Sequence, residues 1–244
     1  MQAVVEFVAL LHDAVARVLD GVVATYLHGS GALGGFVNGR SDVDVLVVYN
    51  GRPLTASDLR AAADALGAAA ESTPGRGIEL SMVTARDAAA PAAPWPFLLH
   101  VATGGDDAKA VIGLGHAGDP DLLMHYVVCR AAGVAVRGPE PTELIAEIPR
   151  RHVLLYLEAE LEWALEHAPE AYGVLNACRA LAYVKDNMIM SKVAGAQFAL
   201  DGGAPRDLIE RALAMQYGRA PEQAPTDRAR AFVAEVRGRI AAAH

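Results

Sequence analysis

Asp42 and Asp44 stand two positions apart in Ser41-Asp42-Val43-Asp44, at the start of the apolar run Val45-Leu46-Val47-Val48. Side chains alternate faces along a strand, so both carboxylates point the same way, with Cα atoms about 6.6 Å apart. That spacing suits two acids sharing one or two divalent cations. Two charges on one face of a core strand are costly unless something pairs them. Mg²⁺ is such a partner, because it takes carboxylate oxygens and leaves room for phosphate oxygens. Glu79 sits in a second apolar stretch, Ile78-Glu79-Leu80-Ser81-Met82, and faces away from its apolar neighbours. A third acid there completes a metal site or takes the proton of an attacking hydroxyl. Gly29-Ser30 follows an earlier apolar run. Glycine lets a backbone approach phosphate closely. Ser30 adds a hydroxyl, and N–H groups at a helix start favour anions. A phosphate cradle, a metal and a carboxylate base point to nucleotidyl transfer, with two ions about 3.5–4 Å apart.

Each acid alone has an ordinary structural reading. Asp42 can cap a turn, Asp44 can be a solvated edge residue, and Glu79 can lie on the wet face of an amphipathic strand. Their joint occurrence, in this order, favours the chemical reading. Gly29, Gly31 and Gly34 also form G-x-G-x-x-G after a strand, the pattern of a dinucleotide fold. That reading fails on two counts. Gly35, Asn38 and Gly39 break the helix it needs. The acids also begin the second strand, whereas a ribose-binding acid should end it.

The elements that position these residues are legible. Residues 2–19 carry apolar positions at helical spacing. Val22–Leu27, Val43–Tyr49 and Gly77–Val83 read as strands. Thr55 or Ser57 can cap an Ala-rich helix running to about residue 70. Residues 29–40 are loop with at most one short helix, and residues 86–105, rich in Pro, Ala and Gly, read as a linker. Helical patterns then cover about 119–133, 142–168, 172–190, 204–216 and 226–243, with a possible strand at 134–136. The layout is α+β: a mixed sheet flanked by helices over residues 1–104, followed by an all-helical part over residues 105–244.

Composition narrows the function classes. The 244 residues are 53% hydrophobic and 20% charged, so a packed core is expected. A net charge of −8 argues against a nucleic-acid coat and suits a small cationic ligand. The only two cysteines, Cys129 and Cys178, form no CxxC or zinc spacing. A reduced, cytoplasmic protein is expected, with no signal peptide, no membrane span and no nucleic-acid partner.

Leu27-His28-Gly29-Ser30, Gly34-Gly35 and Ser41-Asp42-Val43-Asp44-Val45-Leu46-Val47 resemble the G-S…D-x-D signature of the polymerase-β-like nucleotidyltransferases. Further segments resemble the aminoglycoside nucleotidyltransferases that adenylylate streptomycin and spectinomycin. These are Ile78–Val83, Gly118–Leu122 with Arg130, Val136-Arg137-Gly138-Pro139, and Asn176–Leu181 followed by Ser191-Lys192. The resemblance runs over about residues 20–216. It implies a catalytic head and a helical tail that completes a cleft for ATP and substrate. It implies that Asp42 and Asp44 bind Mg²⁺, two ions in all. Glu79 would be the general base and a further metal ligand, while Ser30, Ser41 and Gly29 contact phosphates. Arg179 and Lys192 reach the triphosphate, where a basic pair neutralises charge and Arg suits bidentate contact.

Family members that take streptomycin carry a tryptophan between the glutamate strand and the helices. Residues 101–112 contain no aromatic residue, so spectinomycin is favoured. A cationic substrate needs acids, for which Asp106, Asp107, Glu158, Glu162, Glu166 and Glu170 are candidates. Glu166 and Glu170, spaced before Arg179 as the family's substrate acids are, rank first. Glu158 and Glu162 read as a solvated face, and Tyr156 and Trp163 as core. His28 reads as a local hydrogen-bonding residue. The expected activity is transfer of AMP from ATP to a hydroxyl of an aminocyclitol, by a monomer, with release of pyrophosphate. The alternatives are a non-antibiotic hydroxyl acceptor, a non-catalytic nucleotide-binding or antitoxin-like protein, and a D-x-D glycosyltransferase.

Overall fold

A computed structural model describes residues 1–105 and 108–243. Asp106 and Asp107 lie outside the described residues. The chain divides into two compact units, Met1–Ile148 and Pro149–His244.

The first unit is built on a mixed sheet. Its strands are β1 (Val22–Leu27), β2 (Val43–Tyr49), β3 (Ile78–Thr84), β4 (Leu99–Ala102), β5 (Lys109–Ile112) and β6 (Val134–Arg137), in the order β5-β4-β3-β2-β1-β6. β2 and β3 run parallel, and the other pairs are antiparallel. Helix α1 (Gln2–Ala16) and helix α3 (Ala56–Ala70) cover one face. Val8 and Leu11 of α1 and Leu59 and Leu66 of α3 pack there with Val43, Val45 and Val47 of β2 and Ile78, Leu80 and Met82 of β3. The alternation of strand side chains therefore sends Asp44 and Glu79 to the opposite face. The short helices α2 (Gly29–Ala32) and α4 (Ala85–Ala89) and the longer α5 (Leu122–Ala132) follow β1, β3 and β5, and α6 (Pro141–Leu144) follows β6. Thr55 caps α3 in a reciprocal capping box with Asp58.

Two sequence expectations change here. Residues 86–105 are not a linker, because they hold α4's end and β4. Leu99 and Val101 of β4 are buried against the α1–α3 face, but four residues are too few to show a period. The division also falls after Ile148, not at 104/105, because β5 pairs with β4 and β6 pairs with β1.

The second unit is helical: α7 (Arg150–His167), α8 (Glu170–Asp186), α9 (Lys192–Asp201), α10 (Arg206–Gln216) and α11 (Asp227–Ala241). Helix α8 is its axis and packs against the other four. It is buried on most of its circumference, as a central helix must be. The helix expected over 172–190 is α8, which stops at Asp186, and the helix α9 that follows was not expected. Asn187 takes a left-handed conformation and ends α8, and the Ser191 hydroxyl caps α9 by accepting from Ala194 N–H. The pattern over 142–168 splits into α6 and α7 around Pro149. No helix among the described residues is long and apolar enough to cross a membrane.

Candidate active site

The parallel register places Asp44 directly opposite Glu79. Neighbouring strands lie about 4.8 Å apart, so both carboxylates leave the sheet side by side. Asp44 is shaped by the turn after β1. Gly29 adopts a positive φ of +54°, and a Cβ built there would stand 1.9 Å from Asp44 Oδ2. Ser30 N–H donates to the same oxygen at 3.1 Å, and His28 N–H donates to the Asp44 carbonyl at 3.0 Å. Gly29 and Ser30 thus meet the D-x-D strand.

Asp42 lies just before β2 and is engaged by Arg76. Arg76 Nη2 donates to Oδ2 at 2.6 Å and Nε donates to Oδ1 at 3.2 Å. Gly104 closes over the pair, where a Cβ would come within 2.5 Å of Asp42 Oδ1. Among the described residues no three His, Cys, Asp or Glu side chains are grouped closely enough to hold a metal ion. Asp42, Asp44 and Glu79 supply the oxygen donors that Mg²⁺ takes, and two of the three are in register. The Asp42 carboxylate is instead engaged by Arg76. Ser41 closes the preceding loop, its Oγ accepting from Val37 N–H at 3.0 Å and its carbonyl accepting from Arg76 N–H.

Glu79 has histidine neighbours that the sequence did not foretell. His125 of α5 brings Nε2 to 3.7 Å from Glu79 Oε1. Its ring lies 4.8 Å from that of His28. His28 Nε2 and His125 Nδ1 are buried with no hydrogen-bond partner among the described residues. Burial first, and the neighbouring His125 second, hold His28 well below the ordinary imidazole pKa. It also hydrogen-bonds the Val45 backbone, so it is the local bonding residue expected. His100 is Ser81's partner on the adjacent strand and hydrogen-bonds it at 3.1 Å. Burial lowers its pKa as well. No motif links residues 28, 100 and 125, so only strand pairing and the seating of α5 reveal this group.

In the second unit, Arg179 and Lys192 join a network around Tyr172. Arg179 Nη2 donates to Asn176 Oδ1 at 2.7 Å, and Asn176 Nδ2 donates to Glu160 at 3.3 Å. Tyr172 OH donates to the same Glu160 oxygen. Lys192 Nζ stands 5.3 Å from the Tyr172 ring centre and donates to Gln216 at 3.1 Å. Gly195 of α9 lets the two helices approach, since a Cβ there would lie 2.9 Å from Arg179 Cγ. Glu160 and Tyr172 carry no signal in the sequence that marks them out, whereas Asn176 opens the Asn176–Leu181 segment that carries the resemblance.

Glu170 is not available to a substrate. It is 1% exposed. Its carboxylate accepts from Arg211 Nε at 2.7 Å, from Thr226 N–H at 2.9 Å and Oγ1 at 2.7 Å, and from Gln223. Burial opposes its ionisation, but these donors outweigh burial and hold its pKa below the ordinary value. Pro169 separates α7 from α8, so Glu170 leaves the face that Glu158, Glu162 and Glu166 share. Glu158 and Glu162 pair with Arg237, as a solvated face does. Glu166 is exposed. Trp163 is not core: it is 49% exposed and stacks on His167.

Residues 143–242 match the family described as aminoglycoside adenylyltransferase, C-terminal domain. The fold is similar to that of the spectinomycin adenyltransferase AAD(9) from Enterococcus faecialis, solved with ATP and spectinomycin. The TM-score is 0.72 at 18% identity, over 97% of this chain and 98% of that one. No curated protein matches the chain in sequence. The matched segment lies in the helical part, where the sequence motifs implied that family, and the solved structure shares the fold.

Proposed function

Taking the match of residues 143–242 to an aminoglycoside adenylyltransferase C-terminal domain as premise, we propose that the chain moves AMP from ATP to a hydroxyl of a small cationic aminocyclitol. Spectinomycin is the first acceptor to try. The observation that carries this reading is the register of Asp44 against Glu79, beside the Gly29-Ser30 turn.

Glu79 takes the acceptor's hydroxyl proton. The freed oxygen attacks the α-phosphorus as the bond to pyrophosphate breaks, so one P–O bond forms and one is lost. Glu79 sits at a sheet face whose neighbours are imidazoles, and it is 39% exposed, open enough to meet an acceptor. The Gly29 turn keeps side-chain bulk from the phosphates, and Ser30 offers its hydroxyl beside Asp44. Arg179 and Lys192 offset triphosphate charge, with Arg179's fork held by Asn176. Asp42, Asp44 and Glu79 would hold Mg²⁺, two ions in all, whose positive charge steadies the phosphate oxygens and the leaving pyrophosphate. Glu166 is the remaining candidate, of the two ranked first, for contact with a cationic substrate.

Pyrophosphate release from Mg²⁺-ATP, with and without spectinomycin or streptomycin, tests this reading. The expected result is release that needs spectinomycin and falls by about 10²- to 10⁴-fold in Glu79→Gln, while ATP still raises the melting temperature. Release with neither antibiotic, together with ATP protection, moves the acceptor to another hydroxyl compound. Absence of both release and protection overturns the reading.

A further inference from the structure

At Asp42 the present contact, with Arg76, conflicts with the proposed chemistry of a metal ligand. Its guanidinium grips both oxygens of Asp42, at 2.6 Å and 3.2 Å. The pair is seated by the backbone on three sides. Arg76 N–H donates to the Ser41 carbonyl at 2.9 Å. A Cβ on Gly75 would lie 2.4 Å from that same carbonyl. A Cβ on Gly104 would press both Asp42 Oδ1 and Arg76 Nε, at 2.5 Å and 3.1 Å. The Arg76 side chain is 55% exposed, so solvent and ligands reach it. Ion pairs that water reaches are weak, so a stronger cation displaces this one readily.

We propose that Arg76 is a transferable counter-cation. It neutralises Asp42 in the nucleotide-free protein and moves to a nucleotide phosphate when Asp42 turns to a metal ion. The proposal rests on the reading of Asp42 as a metal ligand. A nucleotide whose metal sits on Asp42 brings phosphate oxygens to that carboxylate, where a guanidinium already lies within hydrogen-bond distance. Phosphate and carboxylate each present two oxygens that arginine's planar fork meets in a bidentate contact. The exchange therefore replaces one ion pair with another and leaves no charge unpaired. Metal and nucleotide then bind as coupled ligands, because each frees the partner that the other needs.

The test uses the full chain and two readouts of opposite sign. Mn²⁺ affinity is measured by electron paramagnetic resonance without nucleotide, and ATP affinity by calorimetry with Mn²⁺ present. Arg76→Gln should bind free Mn²⁺ more tightly, by up to about fivefold, and bind ATP more weakly, by about tenfold. Arg76→Lys keeps the charge but loses the fork, and should fall between. A purely structural Arg76 would weaken both affinities together, and that result overturns the proposal. Unchanged Mn²⁺ affinity in Arg76→Gln also overturns it, while leaving the proposed reaction intact. Absence of Mn²⁺ binding in every protein overturns the metal-site reading and this proposal with it.

Discussion

Gly29 and Asp44 occupy the same space but for one methyl group: a Cβ on Gly29 would stand 1.9 Å from Asp44 Oδ2 and 2.4 Å from its Cγ. The positive φ of Gly29 adds backbone strain to any side chain placed there. Gly29→Ala should therefore displace the Asp44 carboxylate. A misplacement of about 1 Å costs on the order of 10²-fold in rate. The drop is expected in kcat for AMP transfer, with the protein still folded by circular dichroism.

Asn176 links Arg179 to Glu160. Asn176→Ala removes the acceptor that aims the guanidinium. A hydrogen bond to a charged group contributes about 1.5–3 kcal/mol. The KM for ATP should then rise by roughly tenfold or more, with a smaller change in kcat. Steady-state kinetics at saturating acceptor reads this, and an unchanged KM would remove Arg179 from the phosphate role.

Glu170 should contribute to the acid stability of the helical unit. Its folded-state pKa lies below the unfolded value. Its contribution is therefore complete above about pH 4.3, the ordinary glutamate value, and is lost as pH falls through the depressed folded value. Glu170→Gln should melt lower than the native chain at neutral pH, and the gap should close toward pH 3. Because Arg211 is 39% exposed, the neutral-pH loss belongs at the low end of a broken buried pair, about 3 kcal/mol. Calorimetric scans across this pH range measure it.

Cys129 and Cys178 are both buried. Burial pushes the Cys178 thiol up to about 12, and burial followed by the charge of Asp44 pushes Cys129 well above its ordinary value. Thiolates are the reactive form, so neither should react with a disulfide reagent in the native protein at pH 8. Both should react in guanidinium chloride. Fast native reaction of either thiol would contradict the packing of α5 or α8.

The acids were legible because they violate the pattern around them. Asp44 interrupts β2 and Glu79 interrupts β3, both strands otherwise buried or nearly so. A charge in such a run has few structural uses. Glu170 misled for the opposite reason. It was ranked by its spacing before Arg179, and nothing local shows that Arg211 and Thr226, 41 and 56 residues later, return to saturate it. β4 and β5 were missed because four-residue strands carry too little period, and they form only where β3 offers an edge.

Local spacing alone decided which face of each strand carries acids, where the Gly29 turn falls, and that a helical tail follows. These are consequences of strand and helix periodicity, which act within a few residues. Tertiary structure alone decided that Asp44 meets Glu79 in register, that imidazoles from β4, α5 and the β1 turn gather beside Glu79, that Arg76 grips Asp42, and that Glu170 is buried. Those pairings join residues up to about a hundred positions apart, and chain closure over such distances is settled by which buried surfaces fit, a property no local pattern encodes.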